Sequence, residues 1–316
     1  MSEQSNNQGR AYEYICLITL YNEINKQRKV KIIKNSAYDS AEKAWTLVPK
    51  EFQDTLTISA ESIVSSIFDV EPMIIEPNQD VLTLKIQSDN EGENGDVRDI
   101  VISRKDYQWE IGLSIKHNHF AVKHSRLAKG LDFGKKWFGI PCSQQYWADI
   151  KPIFDDLDNK AKKQKWRELV AKDTQVYVPL LQAFVNEIKR SNNIDSTVPK
   201  KMVEYLLGEF DFYKVISIDS KRITQMQSYN MHGQLNHSTK TIKPKVLIPI
   251  TSLPTRIVNM DFKPNSYNTV ELYMDNGWQF SFRIHNASSM IESSLKFDIQ
   301  IIGMPTTILT INCYWK

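Results

Sequence analysis

The sequence predicts an α+β protein, and three observations carry that reading. Helix-length segments fill much of the first two thirds, an antiparallel hairpin interrupts them between Val97 and Lys116, and from Asp211 short alternating runs take over. At 316 residues, 41% hydrophobic and 24% charged, the chain has ordinary globular composition. That length suits one large domain or two closely associated ones.

The elements follow in order. Residues 11–23 (AYEYICLITLYNE) are long and apolar enough for a helix, with Asn6, Asn7 and Gly9 ahead as caps. Residues 40–67 form a second helical stretch that gives way at Glu71-Pro72, and 73–86 hold two β-like runs broken by Pro77-Asn78. The acidic, turn-rich stretch 87–95 (QSDNEGENG) predicts a loop. Residues 97–103 and 108–116 flank the polar link 104–107 and form the hairpin, and 118–129 continue at helical spacing.

From Ser143 to Asn192 the pattern is helical and highly charged, and the basic run 160–167 (KAKKQKWR) reads as a solvated helix face. Beyond Asp211 the strand candidates are DFYKVISID, KVLIPI, VELYMDNGWQFSFRIH and LKFDIQII. Asn276-Gly277 is the strongest hairpin signal in the chain. In 280–285, Phe280, Phe282 and Ile284 point one way and Ser281, Arg283 and His285 the other. These shifts suggest a core over 1–142, a helical region over 143–210 and a β-rich region over 211–316.

Net charge is only +3, so any attraction for a polyanion must be local. Cys16, Cys142 and Cys313 are far apart and odd in number, which excludes a disulfide framework and paired-cysteine zinc patterns. With a polar N-terminus and no apolar run of membrane-spanning length, the expected setting is reducing and cytoplasmic, with no membrane partner.

The hairpin carries the chemistry. It returns Asp96 and Asp99 beside Ser114 and Lys116, and a turn centred near Lys105-Asp106 sets Asp99 opposite Ser114 to within one residue. A carboxylate that holds Mg²⁺ and an ammonium that orients or helps deprotonate a water are what phosphodiester hydrolysis needs. Glu110 lies roughly 20 Å up the strand from Lys116, too far to share a metal with Asp99, and reads as an ordinary strand charge.

Glu13 is the better source of a second acid. It is the only charged residue in 11–20, a segment apolar nearly all round, so burial is expected. An unpaired carboxylate there would cost several kcal/mol and calls for a counter-charge, a hydrogen-bond network or a metal. Arg10 is an equally good local partner.

Residues 116–136 hold Lys116, Lys123, Arg126, Lys129, Lys135 and Lys136 against Asp132 alone. At helical spacing His119, Lys123 and Arg126 share a face suited to phosphate contacts. Any one of them alone reads as a solvated surface residue. The tripeptide His117-Asn118-His119 is too short to mark an HNH nuclease.

Several segments together resemble the HaeIII family of type II restriction endonucleases: NNQGRAYEY (6–14), GDVRDIVIS (95–103), WEIGLSIKHNHFAVKHSRL (109–127), DFGKKWFG (132–139) and FRIHNASSMIESSLKFDIQIIG (282–303). The resemblance runs over essentially the whole chain. It implies the PD-(D/E)xK nuclease superfamily: a mixed central sheet flanked by helices, here with a helical insertion and a C-terminal antiparallel strand region. It also implies Mg²⁺ as cofactor and double-stranded DNA as substrate, with GGCC cut between G and C to leave blunt ends.

By position, Asp99 is the superfamily's strand aspartate, Lys116 its lysine, and Ile115 the residue whose backbone carbonyl joins the metal shell. Ser114 departs from the pattern by standing where the second acid belongs, so Glu13, or failing it Asp96, supplies the missing charge. At GGCC the first candidate for reading guanine is Arg283, on the polar DNA-binding face with Ser281 and His285, with Lys296 on the polar side of a neighbouring strand next. A palindrome cut on both strands calls for a homodimer or for sequential nicking, and a cognate cytosine methyltransferase is expected in the same system. The competing readings are a non-catalytic DNA-binding or interaction protein on the same fold, and a repair nuclease without sequence preference.

Overall fold

In the computed structural model, which describes residues 3–88 and 95–316, the first half of the chain runs α1 (Glu3–Asn25), β1 (Val30–Ile33), α2 (Ser36–Leu47), α3 (Lys50–Val70), the single turn α4 (Pro72–Ile75), β2 (Leu82–Ile86), β3 (Ile100–Arg104), β4 (Trp109–His117) and β5 (Ala121–Ala128). Next come α5 (Phe133–Phe138), α6 (Gln144–Lys160), α7 (Val178–Ile194) and α8 (Val198–Leu207). The remainder is β: β6 (Phe212–Ile218), β7 (Ile223–Tyr229), β8 (Ile257–Phe262), β9 (Thr269–Met274), β10 (Gln279–His285), β11 (Ser294–Gly303) and β12 (Thr310–Tyr314). Of the loop read at 87–95, residues 89–94 lie outside the described residues.

The chain divides into two units that interleave along the sequence: residues 1–120, 208–251 and 306–316 form one, and 121–207 with 252–305 the other. The first unit is a seven-stranded mixed sheet, β1-β2-β3-β4-β6-β7-β12, parallel between β1 and β2 and between β4 and β6. Leu82, Leu84, Ile86, Ile100, Ile102, Ile111, Leu113 and Ile115 join Tyr12, Leu17 and Leu20 of α1 and Ile63 and Ile67 of α3 in one buried core. Burying each such side chain contributes about 1.5–3 kcal/mol, which explains why an alternating strand pattern and apolar helices find one another.

The second unit carries the antiparallel sheet β5-β11-β10-β9-β8 with α5 to α8. The mixed sheet, helices and C-terminal antiparallel region expected from the sequence are all present. At the Asn276-Gly277 turn Asn276 has φ 57 and Gly277 φ 88, a left-handed pair that glycine takes without strain. Phe280, Phe282 and Ile284 are fully buried while Arg283 is exposed, as the alternation predicts.

Several local expectations fail for tertiary reasons. The stretch 40–67 is two helices, because Pro49 lacks an amide donor and caps α3 instead of continuing α2. The first β-like run after Glu71 is the helical turn α4, with Pro72 at its first position. KVLIPI forms no strand: Asn236 Oδ1 accepts from Ile248 N at 2.9 Å, the carbonyl of Asp69 accepts from Lys245 N, and Pro249 has no donor.

Residues 118–129 are not helical either, since β5 pairs antiparallel with β11. Long-range pairing there outweighs a local period, and it abolishes the helical face proposed for His119, Lys123 and Arg126. No helix among the described residues is long and apolar enough to cross a membrane.

Candidate active site

Strand β3 pairs with β4 through Ile100↔Leu113, Val101↔Gly112, Ile102↔Ile111 and Ser103↔Glu110. One residue further, Asp99 stands opposite Ser114, and Asp99 N donates to Leu113 O at 2.8 Å. The far end of the hairpin is pinned by Arg104, fully buried, whose guanidinium donates to both oxygens of Asp80 at 2.9 and 2.7 Å. A fixed far end sets the register at the near end.

Asp99 Oδ2 is the focus of the site. It accepts from Ile115 N at 2.6 Å, Lys116 Nζ at 2.9 Å and Ser114 Oγ at 3.3 Å. Asp99 and Lys116 are 23% and 28% exposed, so the pair opens to solvent while its backbone is held. Burial pulls the Lys116 ammonium's pKa down, but the charge and hydrogen bond of Asp99, then the charge of Glu13, leave it raised overall. Ser114 donates a hydrogen bond to Asp99 where a second carboxylate would have repelled it.

Glu13, on α1, is half-buried rather than enclosed. Its charge acts on both Lys116 and Cys16, and Asp99 acts on the same two groups, so both acids bear on one neighbourhood. Burial foremost pushes the Cys16 thiol up, with Glu13 and Asp99 adding to it. Arg10 and Glu13 line one concavity with Ser36, Ser40 and Gln87.

Asp96 is engaged elsewhere: Arg98 Nε donates to its Oδ1 at 2.8 Å, Arg98 Nη2 to its Oδ2 at 2.7 Å, and Gln87 also binds it. Arg98 reaches across to Glu110 at 2.9 Å, which accounts for Glu110 as a partner in an ion pair. This crossing explains Gly112, because a Cβ there would lie 2.0 Å from Arg98 Cδ. A glycine inside a strand was the available signal for such a close approach.

Lys214 of β6 had no signal in the sequence. It stands beside Ser114 in the parallel pair, is 4% exposed, and donates to the carbonyl of Phe120 at 2.8 Å. Burial, then the charge of Lys116, lower its ammonium to about 7 against the opposing pull of Asp99. His117, on the opposite strand face, packs edge-on to Phe52 and Tyr12 and sits 2.8 Å from Asp219 Oδ2, a packing role within the tripeptide 117–119. His119 is exposed.

In the second unit, the register aligns Arg126 with Lys296 and Lys296 with His285 across β5, β11 and β10. Arg283 is exposed beside them and pairs with Asp298 at 3.0 Å. Arg126 contacts Ser294 Oγ at 2.7 Å and Glu292 at 3.3 Å. The side chain of Lys123 lies outside the described residues.

Among the described residues no group of three His, Cys, Asp or Glu side chains is placed to hold a metal ion. The donors near Lys116 are instead two carboxylates, Asp99 and Glu13, and the strand carbonyl of Ile115. All are hard oxygens, and Mg²⁺ is commonly held by one or two carboxylates with water completing its shell. The donor set therefore fits Mg²⁺.

The fold is α+β, with a mixed sheet whose hairpin sets an acid and a lysine side by side, the arrangement expected of a nuclease. The sequence matches the HaeIII restriction endonuclease family over residues 9–305, and the chain belongs to that family. It is 52% identical over 318 residues to the type II restriction enzyme HaeIII of Haemophilus aegyptius, covering 100% of both chains. No solved structure matches the chain. The chain is accordingly a type II site-specific deoxyribonuclease.

Proposed function

We propose that this enzyme hydrolyses double-stranded DNA at GGCC, cutting between G and C to leave blunt ends, with Mg²⁺ as cofactor. The observation that carries the hydrolytic reading is the convergence of Ile115 N, Lys116 Nζ and Ser114 Oγ on Asp99 Oδ2. The GGCC target rests on the family resemblance.

Asp99, Glu13 and the Ile115 carbonyl would hold the ion, with Asp96 set behind them by its engagement with Arg98. When bound, Mg²⁺ supplies positive charge against phosphate oxygens and acidifies water. Asp99 holds Lys116 in place, and the ammonium's remaining donors orient the attacking water and offset charge developing on the phosphoryl oxygens. Ser114 keeps Asp99 oriented without adding a charge.

The row Arg126, Lys296 and His285 supports a DNA-facing role for the second unit's sheet, with Arg283 the candidate reader of guanine. His119 and Lys123 are candidates for phosphate contact. Reading a palindrome favours a homodimer. A cognate cytosine methyltransferase would protect the host's own sites, and both activities would work in the cytoplasm.

The test is digestion of unmethylated and cytosine-methylated GGCC duplexes by pure protein with and without Mg²⁺. Blunt cleavage of the unmethylated duplex alone, requiring Mg²⁺, is the expected result. An intact unmethylated duplex over a range of salt overturns the reading.

A further inference from the structure

The basic run 160–167 does not continue helix α6. The helix ends at Lys160, Ala161 is its C-cap, and Lys162 turns the chain with φ 60. Residues 162–166 are fastened to the connection between β10 and β11. Lys162 N donates to Ile291 O at 3.2 Å, Ile291 N to Gln164 O at 3.0 Å, and Trp166 N to Ser289 O at 2.9 Å, while Lys165 bridges Met290 antiparallel.

A side-chain anchor adds to these bonds. Trp166 Nε1 donates to the Tyr177 hydroxyl at 3.0 Å. Tyr177 is raised chiefly by burial, and a hydrogen bond with the Asn286 backbone and the charge of Arg283 act on it in the opposite direction. The run is thus tied both to the connection that leaves His285 and to the surroundings of Arg283.

Of its five cations only Lys160 is in an ion pair among the described residues, with Asp156 at 2.6 Å. The other acids near the end of α6, Asp155 and Asp158, are taken by Lys129 at 3.0 and 2.5 Å. Lys162, Lys163, Lys165 and Arg167 are all exposed, and among the described residues none of their side chains is in an ion pair; the neighbouring acid, Glu168, accepts from the backbone N of Lys165 at 3.2 Å. Four cations on a backbone held by the candidate reading strands can meet phosphates in fixed register with the base contacts, which a freely solvated helix face cannot.

We infer that Lys162, Lys163, Lys165 and Arg167 form a phosphate clamp that grips the backbone of the duplex whose bases face β10 and β11. This inference rests on the DNA-facing role proposed above for those strands.

The test replaces all four with glutamine in the full chain. Binding to a GGCC duplex and to a scrambled duplex of equal length is measured over a range of salt, on a Lys116→Ala background without Mg²⁺ so that the DNA stays whole. The slope of log K against log salt is expected to shrink by about 0.9 for each phosphate that the variant no longer neutralises. With two or more phosphates freed in this way, both duplexes should bind at least about tenfold more weakly near 0.1 M salt, with their affinity ratio unchanged.

A companion variant, Lys162→Arg with Lys163→Arg, Lys165→Arg and Arg167→Lys, keeps the charge and should keep the slope. The salt dependence of kcat/KM with Lys116 intact gives a second measurement of the same quantity. An unchanged slope in both measurements overturns the clamp, as does a loss confined to the GGCC duplex. If the parent protein neither binds nor cuts GGCC DNA, the proposed function itself falls and takes the clamp with it. A parent that cuts while the slope stays fixed sinks the clamp alone.

Discussion

Lys116 Nζ stands 2.9 Å from Asp99 Oδ2, seventeen residues away in sequence, and the same oxygen accepts the backbone amide of Ile115 at 2.6 Å. The carboxylate therefore positions the lysine and the strand carrying it at once. Lys116→Ala is expected to lower the single-turnover cleavage rate by about 10²–10³-fold, the usual effect of losing one preorganised donor, with duplex affinity retained. Equal loss of binding and cleavage would show that the lysine serves affinity instead.

Glu13 and Asp96 make opposite predictions. Glu13→Gln should raise the Mg²⁺ concentration needed for half-maximal cleavage by at least about tenfold, since Mg²⁺ sites rely on few carboxylates. Asp96→Asn should leave that concentration unchanged and instead cost about 1.5–3 kcal/mol of stability, because it weakens charged hydrogen bonds to the buried Arg98. A Mg²⁺ titration with a denaturant melt on each variant separates the two roles.

Lys214 is a buried amine beside Ser114, its pKa lowered to about 7 by burial and by the charge of Lys116. Lys214→Met should reduce cleavage by about tenfold or more without lowering the melting temperature, because an apolar side chain of similar volume removes the cost of desolvating a charge. A variant that melts earlier yet cuts at the parent rate would assign Lys214 to structure alone.

Glu71 supplies a pH signature outside the acid–lysine pair. Fully buried, it is pushed up to about 7 by burial, against the hydrogen bonds of Tyr213 and the Asn236 amide, each at 2.6 Å. Its folded pKa exceeds the unfolded value of 4.5, so between about 4.5 and about 7 the native state binds more protons than the unfolded one. Stability should therefore fall as pH rises through that window. Glu71→Gln should flatten the dependence in melts taken at intervals across it, and an undiminished slope in the variant would place its source elsewhere.

Much of the local chemistry was legible because it is local. The approach of Asp99 to Ser114 was legible from one polar link, which lies at 105–108 rather than 104–107 because Arg104 pairs with Trp109, and Phe280, Phe282 and Ile284 fall on one face by simple alternation. Gly112 marked a close approach without revealing that Arg98 makes it. The helical spacing over 118–129 misled, because β5 gains a full ladder with β11 that no window of its own sequence contains.

The sequence by itself determined the hairpin, the convergence of its acid and lysine and the turn at Asn276-Gly277, since each depends on residues a few positions apart. Tertiary structure decided that β6 lies parallel to β4 and sets Lys214 beside Ser114, and that the charge of Glu13 acts on Lys116. It also decided that the basic run leaves its helix to ride on the β10–β11 connection. Those placements follow from burying the faces of whole sheets and helices, a free energy summed over residues far apart in the chain, so no short segment encodes them.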